Sequence, residues 1–146
     1  MTHSIKHLFH IDAKREDVYK AISTHDGLKN WWTVQTSGNA EKGGTIQFRF
    51  GNYGGPDMKI TDLKLNESVS WTCAASNNWE WEGTIITFKL DDNEGKTRVR
   101  FSHDGWKENS EMYAICTFGW GRYMESLRQL CQTGKGEAFG SAGYTQ

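Results

Sequence analysis

The sequence predicts an α+β fold of the helix-grip type: a six-stranded curved antiparallel sheet wrapped around a long C-terminal helix, with two short helices after the first strand. Three observations carry this. From residue 43 to residue 106 apolar side chains recur at a period close to two, interrupted by turn formers, the pattern of consecutive strands with one buried face. Residues 109–133 repeat instead at three and four, which gives one helix about 37 Å long at 1.5 Å per residue. Strands joined by short turns run antiparallel, and their shared apolar face needs a cover that only this helix is long enough to supply.

Each element has its own warrant. Ile5, His7, Phe9 and Ile11 alternate with polar neighbours and form the first strand. Residues 13–23 (AKREDVYKAIS) read as a short helix with Asp12 as N-cap and acids in the first turn, which suits the helix dipole. Val18 and Ile22 lie one turn apart and face inward. Thr24 to Gly27 break the helix, and residues 28–32 form a second helical piece that ends in Trp31 and Trp32. Ile46, Phe48 and Phe50 mark the second strand, and GNYGGPD at 51–57, with the only proline, is a turn. Strands follow over 58–65, around Val69, Trp71 and Cys73, over 81–90 and over 97–103. Asp92-Asn93-Glu94-Gly95 joins the last two as a hairpin. In the long helix, Tyr113, Cys116, Trp120, Tyr123 and Leu127 share one stripe, Gly119 and Gly121 weaken it locally, and Gly134 is the expected stop. The chain reads as one domain over 1–134 and a Gly-rich, mobile tail over 135–146.

Composition bounds the function. The chain has 146 residues, 17 Lys+Arg against 18 Asp+Glu and a net charge of −1. Such a balance argues against nucleic acid or an anionic membrane as partner. No stretch is long and apolar enough for membrane insertion. Residues 1–7 lack the apolar core of a signal peptide, and three widely spaced cysteines (Cys73, Cys116, Cys131) without CxxC suit a reducing compartment, so a cytoplasmic location is expected. Neither a metal site nor any other cofactor is expected. Seven Trp, five Tyr and seven Phe make rings an unusual share of the apolar residues. Flat rigid groups leave gaps more readily than branched ones, which tilts the expectation toward a cavity.

The stretch FHIDAKREDVYKAISTHDGLKNWW (9–32), followed by Trp71, Gly83-Thr84, Thr97-Arg98-Val99, His103-Asp104-Gly105-Trp106 and Gly119-Trp120 through Leu127 to Gly134-Lys135-Gly136, resembles the SRPBCC (START/birch-pollen-allergen-like) superfamily. Within it the chain is similar to the group related to the C-terminal domain of the activator of Hsp90 ATPase, over residues 5–139. Two departures are Ala138, where such sequences often carry proline, and the tryptophan-rich hairpin at 77–81. The resemblance implies a hydrophobic cavity between the curved sheet and the long helix that takes lipid-like, polyketide-like or other apolar molecules. No shared catalytic motif transfers, because fold does not give function.

The residues that would line such a cavity are Phe48, Phe50, Met58, Trp71, Phe101 and His103 from the sheet, Tyr113, Cys116 and Trp120 from the helix, and Trp32 from the short helices. The Tyr113 hydroxyl would be the polar handle. Trp31 and Trp32 either gate the mouth or divide, one capping the core and one on the surface. His7 and His103 point inward, on strands that the resemblance implies are neighbours. They read as an acid/base or metal-ligand pair, or, with no inward carboxylate or cysteine to complete a site, as two satisfied histidines. Trp79 at a hairpin tip would bind a partner if exposed. Asp62 is an inward carboxylate unless a one-residue bulge turns it out.

The reading that follows is a protein that binds a small hydrophobic molecule, aromatic or lipid-like. The alternative is an enzyme of polyketide cyclase/aromatase or hydrolase type that uses the same cavity, with Tyr113 and His7 or His103 moving protons. A third is a co-chaperone-like interaction domain, which a filled concave face would favour. A homodimer stays open.

Overall fold

The structure is a computed structural model that describes residues 2–77 and 79–144. Its elements are β1 (His3–Ile11), α1 (Arg15–Ser23), α2 (His25–Trp31), β2 (Gln35–Gly38), β3 (Thr45–Arg49), β4 (Asp57–Lys64), β5 (Ser68–Ala75), β6 (Ile85–Asn93), β7 (Lys96–Trp106) and α3 (Glu111–Thr133), with a 3₁₀ turn at Gly51–Tyr53. All strand pairs are antiparallel, in the order β1-β7-β6-β5-β4-β3-β2. The strands from β2 to β7 form a meander. β1 closes onto β7, so α1 and α2 must carry the chain across to the far edge. The helix-grip architecture is thus present, with seven strands where the periodicity predicts six.

The extra strand, β2, gives no apolar alternation because it is an edge strand in which only Thr36 is buried. Its place is set by pairing, Thr36 opposite Phe48, and by the Thr36 hydroxyl donating to the Thr33 carbonyl at 2.7 Å. β6 begins at Ile85, four residues later than the apolar pattern predicts. The Thr84 N–H bonds back to the Trp81 carbonyl, and Gly83 at φ 81 reverses the chain, so Trp81 belongs to a turn although it is buried. Two register shifts kink β4 against β5, and the second turns Asp62 out to Lys42 at 3.6 Å, as a bulge would. The β6–β7 hairpin turns on Glu94 and Gly95, both at positive φ, the geometry that matches strand twist.

The helix ends follow capping chemistry. α3 starts at Ser110, whose Oγ accepts from the Tyr113 N–H, and stops at Gly134, in the left-handed region with its N–H on the Leu130 carbonyl. α2 starts earlier than predicted because the Thr24 hydroxyl accepts from the Gly27 N–H. Asp12 is not the cap of α1. Its N–H is held by the Gln132 side chain at 2.8 Å, which ties the end of β1 to the last turn of α3, while Lys14 occupies the cap position without a side-chain bond.

The segment expected to be mobile is packed in place over residues 135–144; Thr145 and Gln146 lie outside the described residues. Ala138 is fully buried. Phe139 bridges to Thr33, with its N–H on the Trp32 carbonyl and its carbonyl receiving the Val34 N–H. Ser126 links three segments: its hydroxyl donates to the Trp31 carbonyl at 2.9 Å and accepts the Glu137 N–H at 2.7 Å. Gly136 passes so close to α2 that a Cβ there would stand 2.4 Å from the Asn30 carbonyl oxygen. Gly136→Ala should therefore lower stability by about 1–3 kcal/mol, the usual cost of a steric conflict with fixed backbone, seen as a drop in Tm of several degrees. An unchanged Tm would mean that the tail is not held against α2.

Candidate functional site

The space between sheet and α3 is filled by rings. Trp32 sits at the centre, with ring centroids 4.3 Å from Phe48, 5.0 Å from Trp120 and 6.0 Å from Trp71, the last stacked in parallel. Trp120 reaches down from α3 to within 4.6 Å of Phe101. Trp31 and Trp32 are both buried, and the Trp31 indole donates to the Ala21 carbonyl, so neither gates a mouth nor lies on the surface. Of the ten residues read as cavity lining, Trp32, Phe48, Met58, Trp71, Phe101, His103 and Trp120 are packed in this core. Tyr113 stands at its edge, where the hydroxyl donates to the Ser4 carbonyl at 2.7 Å and the ring meets Trp106 edge-on.

His103 is fully buried and has both nitrogens committed. An indole N–H can only donate, so the Trp120 Nε1–H at 3.0 Å fixes Nδ1 as acceptor and leaves the proton on Nε2. Nε2 donates to the Thr84 hydroxyl at 2.8 Å, which donates to the Trp81 carbonyl at 2.6 Å. Burial holds the imidazole neutral, with its pKa pushed down to about 3 against weak opposition from Asp104. Of the two histidines read as satisfied, His103 is so, whereas the Nε2 of His7 is buried without a hydrogen-bond partner. His7 lies opposite Phe101 and next to its ring, and finds no second nitrogen of His103 left to share. Among the described residues there is no group of three or more His, Cys, Asp or Glu that could hold a metal ion.

Open space appears on the flank of α3 instead, as a groove of about 540 Å³. Met112, Ile115, Phe118, Gly119 and Arg122 form its helix side. Phe50, Tyr53 and Trp79 form the opposite side, and Phe139, Tyr144 and Glu137 of the C-terminal segment close the end. Cys116, Tyr123 and Ser126 also line it. Of the predicted lining, Phe50 and Cys116 are therefore the members that reach free volume. A Cβ on Gly119 would meet nothing within 4 Å. Trp79 is not a free tip: its indole N–H donates to the Tyr53 carbonyl at 2.6 Å and its ring packs 4.9 Å from Phe50. Asn78, in the same hairpin, lies outside the described residues.

The groove is chemically quiet. Burial raises the Cys116 thiol to about 11, and its S–H points to the Met112 sulfur. Burial, then the neighbouring Tyr144, holds the Tyr123 hydroxyl protonated far above its ordinary range. Arg122 and Glu137 bring one charge of each sign. The groove offers aromatic surface and neutral hydroxyls and no activated nucleophile. Sequence reasoning missed Tyr53, Phe118, Phe139 and Tyr144. The usable signal was a second helix stripe, Met112, Ile115, Phe118 and Arg122, beside the core stripe.

The chain is similar to known proteins in family and in fold. The family model described as activator of Hsp90 ATPase homolog 1-like protein matches residues 12–132. The solution structure of an Aha1 dimer from Colwellia psychrerythraea is 41% identical, with a TM-score of 0.84, over 92% of this chain and 99% of that one. A Bacillus halodurans protein is 27% identical, with a TM-score of 0.68, over 90% of this chain and 100% of that one. A Staphylococcus saprophyticus protein at 20% identity and a TM-score of 0.74, over 93% and 97% of the two chains, shares the fold. No curated protein matches the chain.

The buried neutral His103 makes stability depend on pH. Its folded pKa lies below the ordinary 6.5, so its contribution is fully present above pH 6.5 and is lost as pH falls toward 3. Each tenfold difference in proton affinity is worth about 1.4 kcal/mol, so the effect is large on the scale of a domain's stability. The Tm of the wild-type protein should fall steadily from pH 6.5 to 4.5, and His103→Gln should remove most of that slope. An equal slope in the variant would assign the dependence to other groups.

Proposed function

The chain belongs to the activator of Hsp90 ATPase homolog 1-like family, within the SRPBCC superfamily, and on that footing we propose that it binds a small apolar ligand, aromatic or lipid-like, in the groove on the flank of α3. The observation that carries this is the convergence of rings from four separate parts of the chain, Phe50 and Tyr53, Trp79, Phe118 and Tyr123, and Phe139 and Tyr144, around about 540 Å³ of free space. That volume is in the ordinary range for small-molecule sites, and mostly apolar walls with a few hydroxyls are their usual make-up. Rings fixed by their own packing lose little freedom when a ligand arrives. A ligand that buries about 400 Å² of apolar surface gains about 10 kcal/mol at 25 cal/mol per Å². Association costs of several kcal/mol leave affinity in the micromolar range.

Gly119 supports the same reading. A glycine inside a helix costs up to about 1 kcal/mol relative to alanine, and here no neighbour requires it. It keeps the groove floor open. A second reading, self-association, is favoured by the relative from Colwellia, whose solution structure is of a dimer.

Fatty acids, flavonoids and fused aromatics, tested by thermal shift and tryptophan fluorescence, should include stabilising compounds. Gly119→Leu, which fills the groove from its floor, should fold normally and weaken their binding at least tenfold. Gly119→Ala should raise the Tm by roughly 2–4 °C, as expected for about 1 kcal/mol in a domain of this size. Binding that Gly119→Leu leaves intact would place the ligand elsewhere.

A further inference from the structure

We propose that the same groove is a docking surface for a second copy of this chain, seated so that Phe118 of each protomer enters the groove of the other, and that this contact and the ligand exclude one another. The exclusion rests on the ligand reading above; the contact does not.

The argument starts from exposure. Phe118 is 72% exposed, Ile115 65% and Tyr53 64%, and all three stand on the rim of one groove. Leu8 and Ile85, which are also exposed, lie apart on the outer face of the sheet. Large apolar side chains gathered around one concavity mark an interaction site, whereas scattered ones do not. A ligand inside the groove would leave the outward ring of Phe118 in water. A second protein surface would cover it.

The shape selects a copy of the chain. A two-fold contact requires one patch to carry both a projection and the hollow that receives it. Here they are adjacent residues: Phe118 projects, and Gly119, with open space where a Cβ would be, floors the hollow. One turn away, Ile115 and Arg122 extend the same face. The missing side chain at Gly119 lets a facing helix approach closely. A phenyl ring that enters the groove occupies the volume assigned to the ligand, which makes protomer and ligand competitors and couples ligand occupancy to the monomer–dimer equilibrium.

Sedimentation equilibrium over a wide concentration range tests the contact. The wild-type chain should dimerise. Phe118→Asp should weaken dimerisation at least tenfold with an unchanged circular dichroism spectrum, since this side chain is exposed. Gly119→Leu should do the same from the hollow side, and Leu8→Asp, on the outer face of the sheet, should have no effect. A wild type that stays monomeric, or a Phe118→Asp that dimerises as the wild type does, overturns the contact. The naphthalene dye 1-anilinonaphthalene-8-sulfonate serves as groove probe: it should shift the wild type toward monomer and bind less tightly as protein concentration rises. Dye that binds through the residues tested by Gly119→Leu without shifting the equilibrium overturns the exclusion. Loss of dimer in Phe118→Asp together with no dye or lipid binding to any form supports the contact and sinks the ligand reading alone.

Discussion

The position of α3 over the sheet depends on Trp120. Its indole fills the space that a curved sheet leaves beneath a straight helix, and its N–H ends on a histidine whose other nitrogen is tied through Thr84 to the Trp81 carbonyl. A buried donor left without a partner would cost about 1–3 kcal/mol. The chain of three bonds therefore fixes the height and rotation of the helix at that point. Once Trp120 is seated, Trp32, Trp71, Phe48 and Phe101 complete a continuous ring contact in the middle of the grip.

Free volume next to α3 lies on one flank of the helix. On the side of β1, Tyr113 closes the helix against the Ser4 carbonyl. On the other side the helix faces a turn, a hairpin and the C-terminal segment, none of which pairs continuously with it. Trp79 is held by the Tyr53 carbonyl, and Phe139 by the backbone of Trp32 and Val34. Their rings stand like posts around a space that no element fills. The same geometry exposes Ile115 and Phe118, so the groove and its sticky rim have one cause: a helix wide enough to carry two apolar stripes and a sheet that can cover only one.

The strands, the long helix and its end at Gly134 were legible because each rests on local periodicity or on a single capping residue. β2 was not, since an edge strand with one buried residue has no pattern to read. The inward direction of His103 followed from its alternation with Val99 and Phe101, but its role depended on Trp120 and Thr84, which come from distant parts of the chain. Alternation places rings such as Phe48, Trp71 and Phe101 on one buried face, and it says nothing of what they do there. Facing rings can enclose a space or fill it, and alternation alone does not distinguish the two. The C-terminal segment shows the same limit of local pattern: glycines signal freedom locally, whereas Gly136 serves a close crossing with α2.

The sequence by itself determined the helix-grip class, the family resemblance, the buried aromatic face and the lack of charge bias, all properties set by neighbours in the chain or by totals. Tertiary structure alone decided that the grip is full at its centre and open at its flank. The reason is that packing depends on the sum of side-chain volumes across elements whose spacing is fixed by a few long-range bonds, and no local pattern carries that sum.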